Sequence, residues 1–366
     1  MVIQNGAQGY SYDDTALLSA NLHSINASYP ANNVKGLAYL DGAMYVMQHI
    51  FGTAVTPAVI WGSALNSVDQ VGDWDPLDYL TAQIEPDPGV ALDKQLIYVI
   101  ALKQWTTEVF FDAGNATGSP LQAMMNAKIS YGCASANSVQ NINDILIWIS
   151  TNRSASNQIV MLERLHATVI STAEIDRLLN QIDLTVVYSW QIKCNGHSFY
   201  VLTIKNANLT LAYDMMQNRW QQWTDTNGNY VPIVSSTLDA SGNHILQHET
   251  NGTLYYASPN YLDDNGVVIP VTIITPRWDA GTQRNKTLGM MTFVADQVPG
   301  SLLSVQVSDD DYQTWSQPRV VNLGNKMANL IHCGTFRRRA FKFTRNNNLS
   351  ARILSGVELQ FDVGTL

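Results

Sequence analysis

The sequence predicts an all-β protein: a β-propeller of several antiparallel blades, then a C-terminal antiparallel β region, with one short amphipathic helix. Three observations lead there. Apolar, β-branched and aromatic residues come in runs of about five to eight, bounded by Gly, Asn or Asp turns. Groups of these runs recur about every 40–55 residues, the period of propeller blades. Only one segment has a helical apolar period.

In chain order, Leu37–Leu40 and Ala43–Met47 flank Asp41-Gly42, a dipeptide that supplies the positive φ angles of a type I′ hairpin turn. Leu96–Ala101 with Thr107–Phe111, and Ile145–Ile149 with Gln158–Leu162, read as two further strand pairs. His197–Ile204, Leu209–Asp214 and Arg219–Trp223 read as three strands in a row. In outline they resemble a kelch blade: Gly196, then Tyr213-Asp214, then paired tryptophans. His244–His248 and Thr253–Ala257 pair across Asn251-Gly252. The helix opens on Ser171-Thr-Ala-Glu174, a capping box with Ser171 as N-cap, and continues through Ile175, Leu178, Leu179 and Ile182, spanning about 172–182. Composition shifts near Asp263–Gly266. Residues 1–262 are therefore assigned to the blades, and residues 263–366 to an antiparallel region that is either a sandwich or the closing blades. Its strands include Val268–Ile274, Met290–Val294, Leu302–Val307, Arg339–Thr344 and Gly356–Phe361.

Charged residues make up only 14% of the chain, against about 25% in ordinary domains, so much of the polar surface is uncharged and cheap to desolvate against other chains. The net charge of −9 is concentrated in residues 1–150, where Lys35, Lys94, Lys103 and Lys128 stand against thirteen carboxylates. Tight DNA binding by that part is disfavoured, because phosphate binding relies on Lys and Arg. Three widely spaced cysteines, Cys133, Cys194 and Cys333, argue against a disulfide framework or a cysteine zinc site. No signal stretch and no run of about 18 apolar residues is present, and the expectation is a soluble chain made in a cytoplasm.

Ser308–Trp315 resembles the Asp-box of sialidase propellers, Ser-x-Asp-x-Gly-x-Thr-Trp, with Tyr312 in place of the glycine; an Asp-box is a structural turn. His244 and His248 share a strand face at a spacing too wide for one metal without further ligands, and packing roles far outnumber ligand roles for such pairs. Arg337, Arg338 and Arg339 form the one basic cluster, read as a protein interface in preference to a DNA site. No G-x-S-x-G, H-E-x-x-H or phosphate-cradling glycine loop occurs. No catalytic residue, cofactor or metal is assigned.

Taken in order, several segments resemble the packaged-DNA stabilisation proteins, the tail hub or nozzle family of short-tailed (podovirus) double-stranded DNA phages. They are Leu40–Gly42, Trp74–Tyr79, Ala82–Asp87, Thr107-Glu108 with Gly114-Asn115, Ile129–Gly132 through Asp144–Trp148, and Ile170–Glu174. Gly196–Tyr200 with Thr210–Asp214 and Trp220 is the most specific block; Ser308–Trp315, Gly324 and Phe336–Arg338 complete the series. The resemblance implies a virion structural protein: a homo-hexameric ring below the portal and adaptor (head-to-tail connector), carrying needle, fibre or spike components. Double-stranded DNA would pass through without tight binding. Met1–Tyr10 resembles a strand pair from inside the family's propeller, so the resemblance implies a short or missing N-terminal portion. If a channel exists, its acidic lining is expected from Asp69, Asp73, Asp75 and Asp78. The rival readings are a glycan-binding or sialidase-like propeller, weakened by the absence of arginine from the first 150 residues, and a kelch-type host-interaction propeller.

Overall fold

The computed structural model describes residues 2–12, 22–25, 28–51, 54–115, 117–154, 156–349 and 352–364. The chain forms two compact units, Met1–Thr224 with Tyr230–Ala257, and Asp225–Asn229 with Ser258–Leu366. Among the described residues the first unit is a β-propeller of six antiparallel meanders in chain order. The first sheet holds Val2–Gln4, Gly9–Tyr12 and Leu22–Ser24. The second holds Ala38–Leu40, Ala43–Phe51, Ala54–Gly62 and Tyr79–Thr81. The third holds Gly89–Gln95, Tyr98–Lys103, Thr107–Asp112 and Leu121–Ala123. The fourth holds Gln140–Ile142, Ile145–Ser150, Gln158–Glu163 and His166–Val169. The fifth holds Val187–Cys194, His197–Ile204, Leu209–Asp214 and Arg219–Trp223. The sixth holds Ile233–Leu238, His244–His248 and Leu254–Ala257.

Each middle sheet buries both faces, which is why its strands read as unbroken apolar runs instead of alternating with polar residues. On one strand of the third sheet, Val99 and Ala101 join Tyr45, Met47 and Ile60 of the second sheet. Between them, Ile100 and Leu102 point the other way to meet Leu146, Trp148 and Val160 of the fourth. The fourth sheet repeats the device: Ile147 and Ile149 turn from Trp148 toward Tyr200 and Leu202 of the fifth. Val201, Ala212 and Trp190 of the fifth meet Ile233 and Leu246 of the sixth. The first and second sheets are joined by Tyr29, Val46, Trp61 and Trp74.

The turns follow the expected chemistry, with three exceptions. Asp41-Gly42 (φ 48° and 88°) and Asn195-Gly196 (φ 51° and 83°) both place two left-handed residues at the hairpin tip. Leu96 does not begin a strand: it turns the chain at φ 53°, with Ile97 63% exposed beside it. The more polar segment Gly89–Gln95 is the partner strand that apolarity alone did not reveal. Likewise Val187–Cys194 precedes the three expected strands of the fifth sheet. Third, the helix is Ala173–Leu179 with Thr172, not Ser171, as N-cap; its Oγ1 accepts the Ile175 N–H at 3.4 Å. Ser171 instead donates to Asp176 and accepts the Ile159 N–H, tying the helix start to the fourth sheet. Ile175 and Leu179 close the core between the fourth and fifth sheets. The expected strand pair near the N-terminus is present, Val2 facing Ser11 and Gln4 facing Gly9; Met1 lies outside the described residues.

The second unit is a two-layer sandwich. One sheet is ordered Val271–Ile274, Ala340–Arg345, Leu302–Ser308, Arg319–Asn322; the other joins Ala328–Ile331, Lys286–Ala295, Thr335–Phe336 and Ile353–Val363. Leu288, Phe293, Val305, Leu330, Phe341 and Phe343 share its core. The run Val268–Ile274 is split: Val267–Val268 folds back on Asp263–Asp264, and Val271–Ile274 joins the sandwich. Pro270, with no N–H to donate, sits at the break.

Where the third and fourth sheets meet, Gly132 runs so close to its neighbour that an added Cβ would lie 2.2 Å from the Gln104 carbonyl oxygen and 2.6 Å from Trp105 Cα. Because that obstacle is backbone, Gly132→Ala is expected to lower unfolding stability by about 3 kcal/mol, read by urea denaturation; a loss under about 0.5 kcal/mol would mean the two sheets are not held at this spacing.

Candidate functional site

The acidic stretch expected at a channel lies in the loop of residues 63–78, between the third and fourth strands of the second sheet. Its four carboxylates have different tasks. Asp73 is 8% exposed; its Oδ2 accepts the Ser67 hydroxyl at 2.6 Å and the Gln70 N–H at 2.7 Å, so it organises the loop and presents little charge to any lumen. Asp69 accepts the Ser11 hydroxyl and the Gln70 side-chain amide. Asp75 caps the Leu77 N–H at 2.8 Å. Partial burial and the charge of Asp75 raise the Asp78 carboxyl above its ordinary value. Trp74 anchors the loop: it is 1% exposed, donates Nε1–H to the Val68 carbonyl at 2.9 Å and meets Tyr29 edge-on at 5.0 Å.

The segments Ala82–Asp87, Thr107-Glu108 and Ile129–Gly132 converge on a buried ion cluster. Lys103 Nζ lies 2.8 Å from Asp87 and 2.5 Å from Glu108, all three side chains at most 1% exposed. Lys103 also donates to the Glu85 carbonyl. Asp87 accepts the Trp105 and Thr106 N–H groups, while the Thr107 hydroxyl donates to the Tyr131 carbonyl at 2.7 Å. Trp148 Nε1–H reaches the Gly132 carbonyl at 2.8 Å. Outside the cluster, the Lys128 ammonium at 2.6 Å holds the Glu85 carboxyl below its usual range. Sequence reasoning listed these motif residues but missed Lys103 as their centre; the signal was a lysine closing the apolar strand Tyr98–Lys103. Two of the four cations in residues 1–150 are thus committed to carboxylates of the same segment.

The basic cluster is not a uniform patch. Arg339 is 3% exposed, clamps Asp309 through Nε at 2.7 Å and Nη2 at 2.8 Å, and lies 4.2 Å over the Phe336 ring. Arg338 pairs with Asp311, which Arg277 also reaches at 3.0 Å; Arg337 touches the Asn285 side chain. Within the cluster Arg337 and Arg338 are the exposed side chains, and Arg338 already shares the Asp311 carboxylate with Arg277.

The Asp-box-like turn forms despite its substituted glycine. Asp311 (φ 62°) and Tyr312 (φ 71°) both take left-handed angles, unusual for a bulky side chain. The turn is held by Asp310, which accepts the Thr314 hydroxyl at 2.5 Å, the Thr314 N–H at 3.0 Å and the Ser308 hydroxyl at 2.8 Å. These bonds pull the Asp310 carboxyl down to about 2. With both carboxylate oxygens engaged inside the turn, Asp310 is structural.

His244 is 7% exposed, and its Nε2 accepts the Lys193 N–H at 2.9 Å across the fifth and sixth sheets; burial, and then the Lys193 charge, lower its pKa. His248 Nδ1 accepts the Thr250 N–H. Among the described residues no group of three or more His, Cys, Asp or Glu side chains is placed to hold a metal, and no helix is long and apolar enough to cross a membrane.

Two outcomes follow. Lys103→Met leaves Asp87 and Glu108 buried without their cation and is expected to cost about 3–5 kcal/mol of stability, read by chemical denaturation; retention of wild-type stability would show the carboxylates are solvated. For Asp310 the folded value lies below the unfolded one, about 3.9. Its contribution to the turn is therefore complete above about pH 4 and lost as pH falls toward 2. Carbon-detected NMR titration should find the Asp310 midpoint near 2, and Thr314→Ala should move it upward.

A search of curated proteins finds no match. Solved structures to which the chain shows similarity include a chain of a nidogen/laminin complex (10% identity, 70% of this chain and 87% of that chain, TM-score 0.39). Others are an exo-β-1,3-galactanase from Phanerochaete chrysosporium (9%, 95% and 96%, 0.35) and a fungal alcohol oxidase of the AA5 family in complex with copper (10%, 94% and 76%, 0.42). At so low an identity nothing of their chemistry transfers to this chain. The model of the phage stabilisation family, described as bacteriophage P22 Gp10, β-propeller, matches residues 1–233. These are the residues that build most of the stacked sheets and contain the Lys103 cluster, and the chain belongs to this family of phage structural proteins.

Proposed function

We propose that the chain is a tail nozzle or hub subunit that assembles as a homo-hexameric ring below the portal and adaptor, retains packaged DNA and forms its exit channel. The observation that carries this reading is membership of the phage stabilisation family over residues 1–233. Two features of the molecule support it. Rigid stacked sheets with buried ionic ties suit a part that bears load without catalysing a reaction. The acidic excess of residues 1–150, whose Lys103 and Lys128 are already paired internally, suits a wall along which DNA slides, because phosphate binding would need free cations. The neighbours in this reading are the adaptor, a needle, fibre or spike, and DNA passing without tight binding.

Electron microscopy of the purified chain, with the adaptor ring where needed, should show a six-fold ring with an axial channel. Particles produced without the chain should package DNA and then lose it. In a mobility-shift assay at roughly 50 mM salt, where phosphate contacts are strongest, duplex DNA should not be retained. A chain that stays monomeric with and without adaptor, or that binds duplex tightly, would sink the reading.

A further inference from the structure

The loop of residues 63–78 has a feature that a bare channel wall would not need. Val71 is 93% exposed, Leu77 74% and Leu65 71%, within one loop. Scattered exposed aliphatics are ordinary; here they are held outward by an ordered backbone. Ala64 N–H donates to the Asp73 carbonyl at 2.6 Å, Asn66 N–H to the Gly42 carbonyl at 2.7 Å, and Asp78 N–H to the Asp75 carbonyl at 3.0 Å. The buried Trp74 and Asp73 fix the rest. The same loop carries Asp69, Asp75 and Asp78, and no Lys or Arg occurs between Lys35 and Lys94.

Apolar tips with a carboxylate rim are complementary to an apolar socket with a cationic rim. Nucleic acid and anionic lipid carry the wrong charge, so the complement is a protein surface. This chain carries exposed cations itself in the second unit: Arg337 meets the neutral Asn285 side chain, and Arg338 shares the single Asp311 carboxylate with Arg277. Two copies of the loop cannot face each other about a two-fold axis, because carboxylates would meet carboxylates. The loop therefore meets a different surface of the second copy, a contact that closes a ring when it repeats head-to-tail. We infer that the loop of residues 63–78 docks on a second copy of this chain, seating Val71 and Leu77 and pairing its carboxylates with the basic side chains around Arg337 and Arg338. This rests on the ring reading above and specifies one of its subunit contacts.

The test uses the full chain and measures mass by sedimentation and native mass spectrometry, with circular dichroism confirming the fold of each variant. Two charge reversals are made, Asp75→Arg with Asp78→Arg, and Arg337→Glu with Arg338→Glu. Each alone is expected to lose the ring, at least ten-fold in assembly midpoint concentration (~1.4 kcal/mol), because like charges then meet. An equimolar mixture should recover an alternating ring, since both of its mixed contacts pair opposite charges. Val71→Asp with Leu77→Asp should lose the ring without rescue. A wild-type ring that survives all these substitutions overturns the inference, leaves the ring reading intact and assigns the loop to another tail protein. Loss in each variant with no recovery on mixing overturns the pairing with Arg337 and Arg338. A wild-type chain that never assembles overturns the ring reading and this contact with it.

Discussion

The first unit depends on one constraint: a β-meander with apolar side chains on both faces cannot stand in water and must be covered twice. Leu146, Trp148 and Val160 leave the fourth sheet on one side while Ile147, Ile149 and Ile159 leave it on the other. Each middle sheet thus belongs to two cores at once, and removing any one exposes both neighbours. Stacking covers such short meanders on both faces, and it leaves few strand edges to pair with foreign chains. The chain therefore builds a large, stiff body from strands of only three to nine residues in this unit.

Apolar stacking is non-directional, and the polar residues supply what it lacks. Lys103 links Asp87, Glu108 and the Glu85 carbonyl, fixing how the entry to the third sheet meets its own strands. In the sandwich, Lys286 is buried and donates to the carbonyls of Thr282, Arg284 and Arg337 at 2.6–2.8 Å, and Arg339 clamps Asp309. Such groups contribute modestly to net stability, because desolvation offsets most of their attraction. Their effect is directional: an alternative packing would strand a charge. Asp214 follows the same pattern. Burial alone would raise its carboxyl, but the His197 ring at 2.7 Å and the Met216 and Gln217 N–H groups outweigh burial and hold it low.

This inward use of polar atoms fits a structural protein. Asp87, Asp214, Asp309 and Asp310 have both carboxylate oxygens engaged within the fold, and Asp73 engages its Oδ2. What remains outside is of two kinds: a carboxylate excess in the first 150 residues, and ordered surface features such as the 63–78 loop that display aliphatic side chains. The former repels a polyanion; the latter is the surface inferred above to meet a second copy of the chain.

The all-β class, the blade period, the Asp41-Gly42 and Asn251-Gly252 turns and the family itself were legible in the residues, because strand runs and turn dipeptides are local signals and the family motifs keep their order. Local chemistry also misled locally. Leu96 reads as strand and is turn, Ser171 reads as N-cap and is displaced by Thr172, and Arg337–Arg339 reads as one patch although Arg339 is buried. For the last two a partner distant in sequence decided: Asp309 thirty residues away for Arg339, and the Ile159 amide for Ser171. The candidate sites were less legible for the same reason. Asp69, Asp73, Asp75 and Asp78 are alike in sequence, and only the loop's hydrogen bonds separate the carboxylate that folds it from those that face outward. The sequence by itself determined the all-β class, most of the strand runs and how charge divides along the chain. Tertiary structure alone decided which face meets which neighbour and which charges are neutralised inside, because burial and ion pairing depend on residues that only folding brings together.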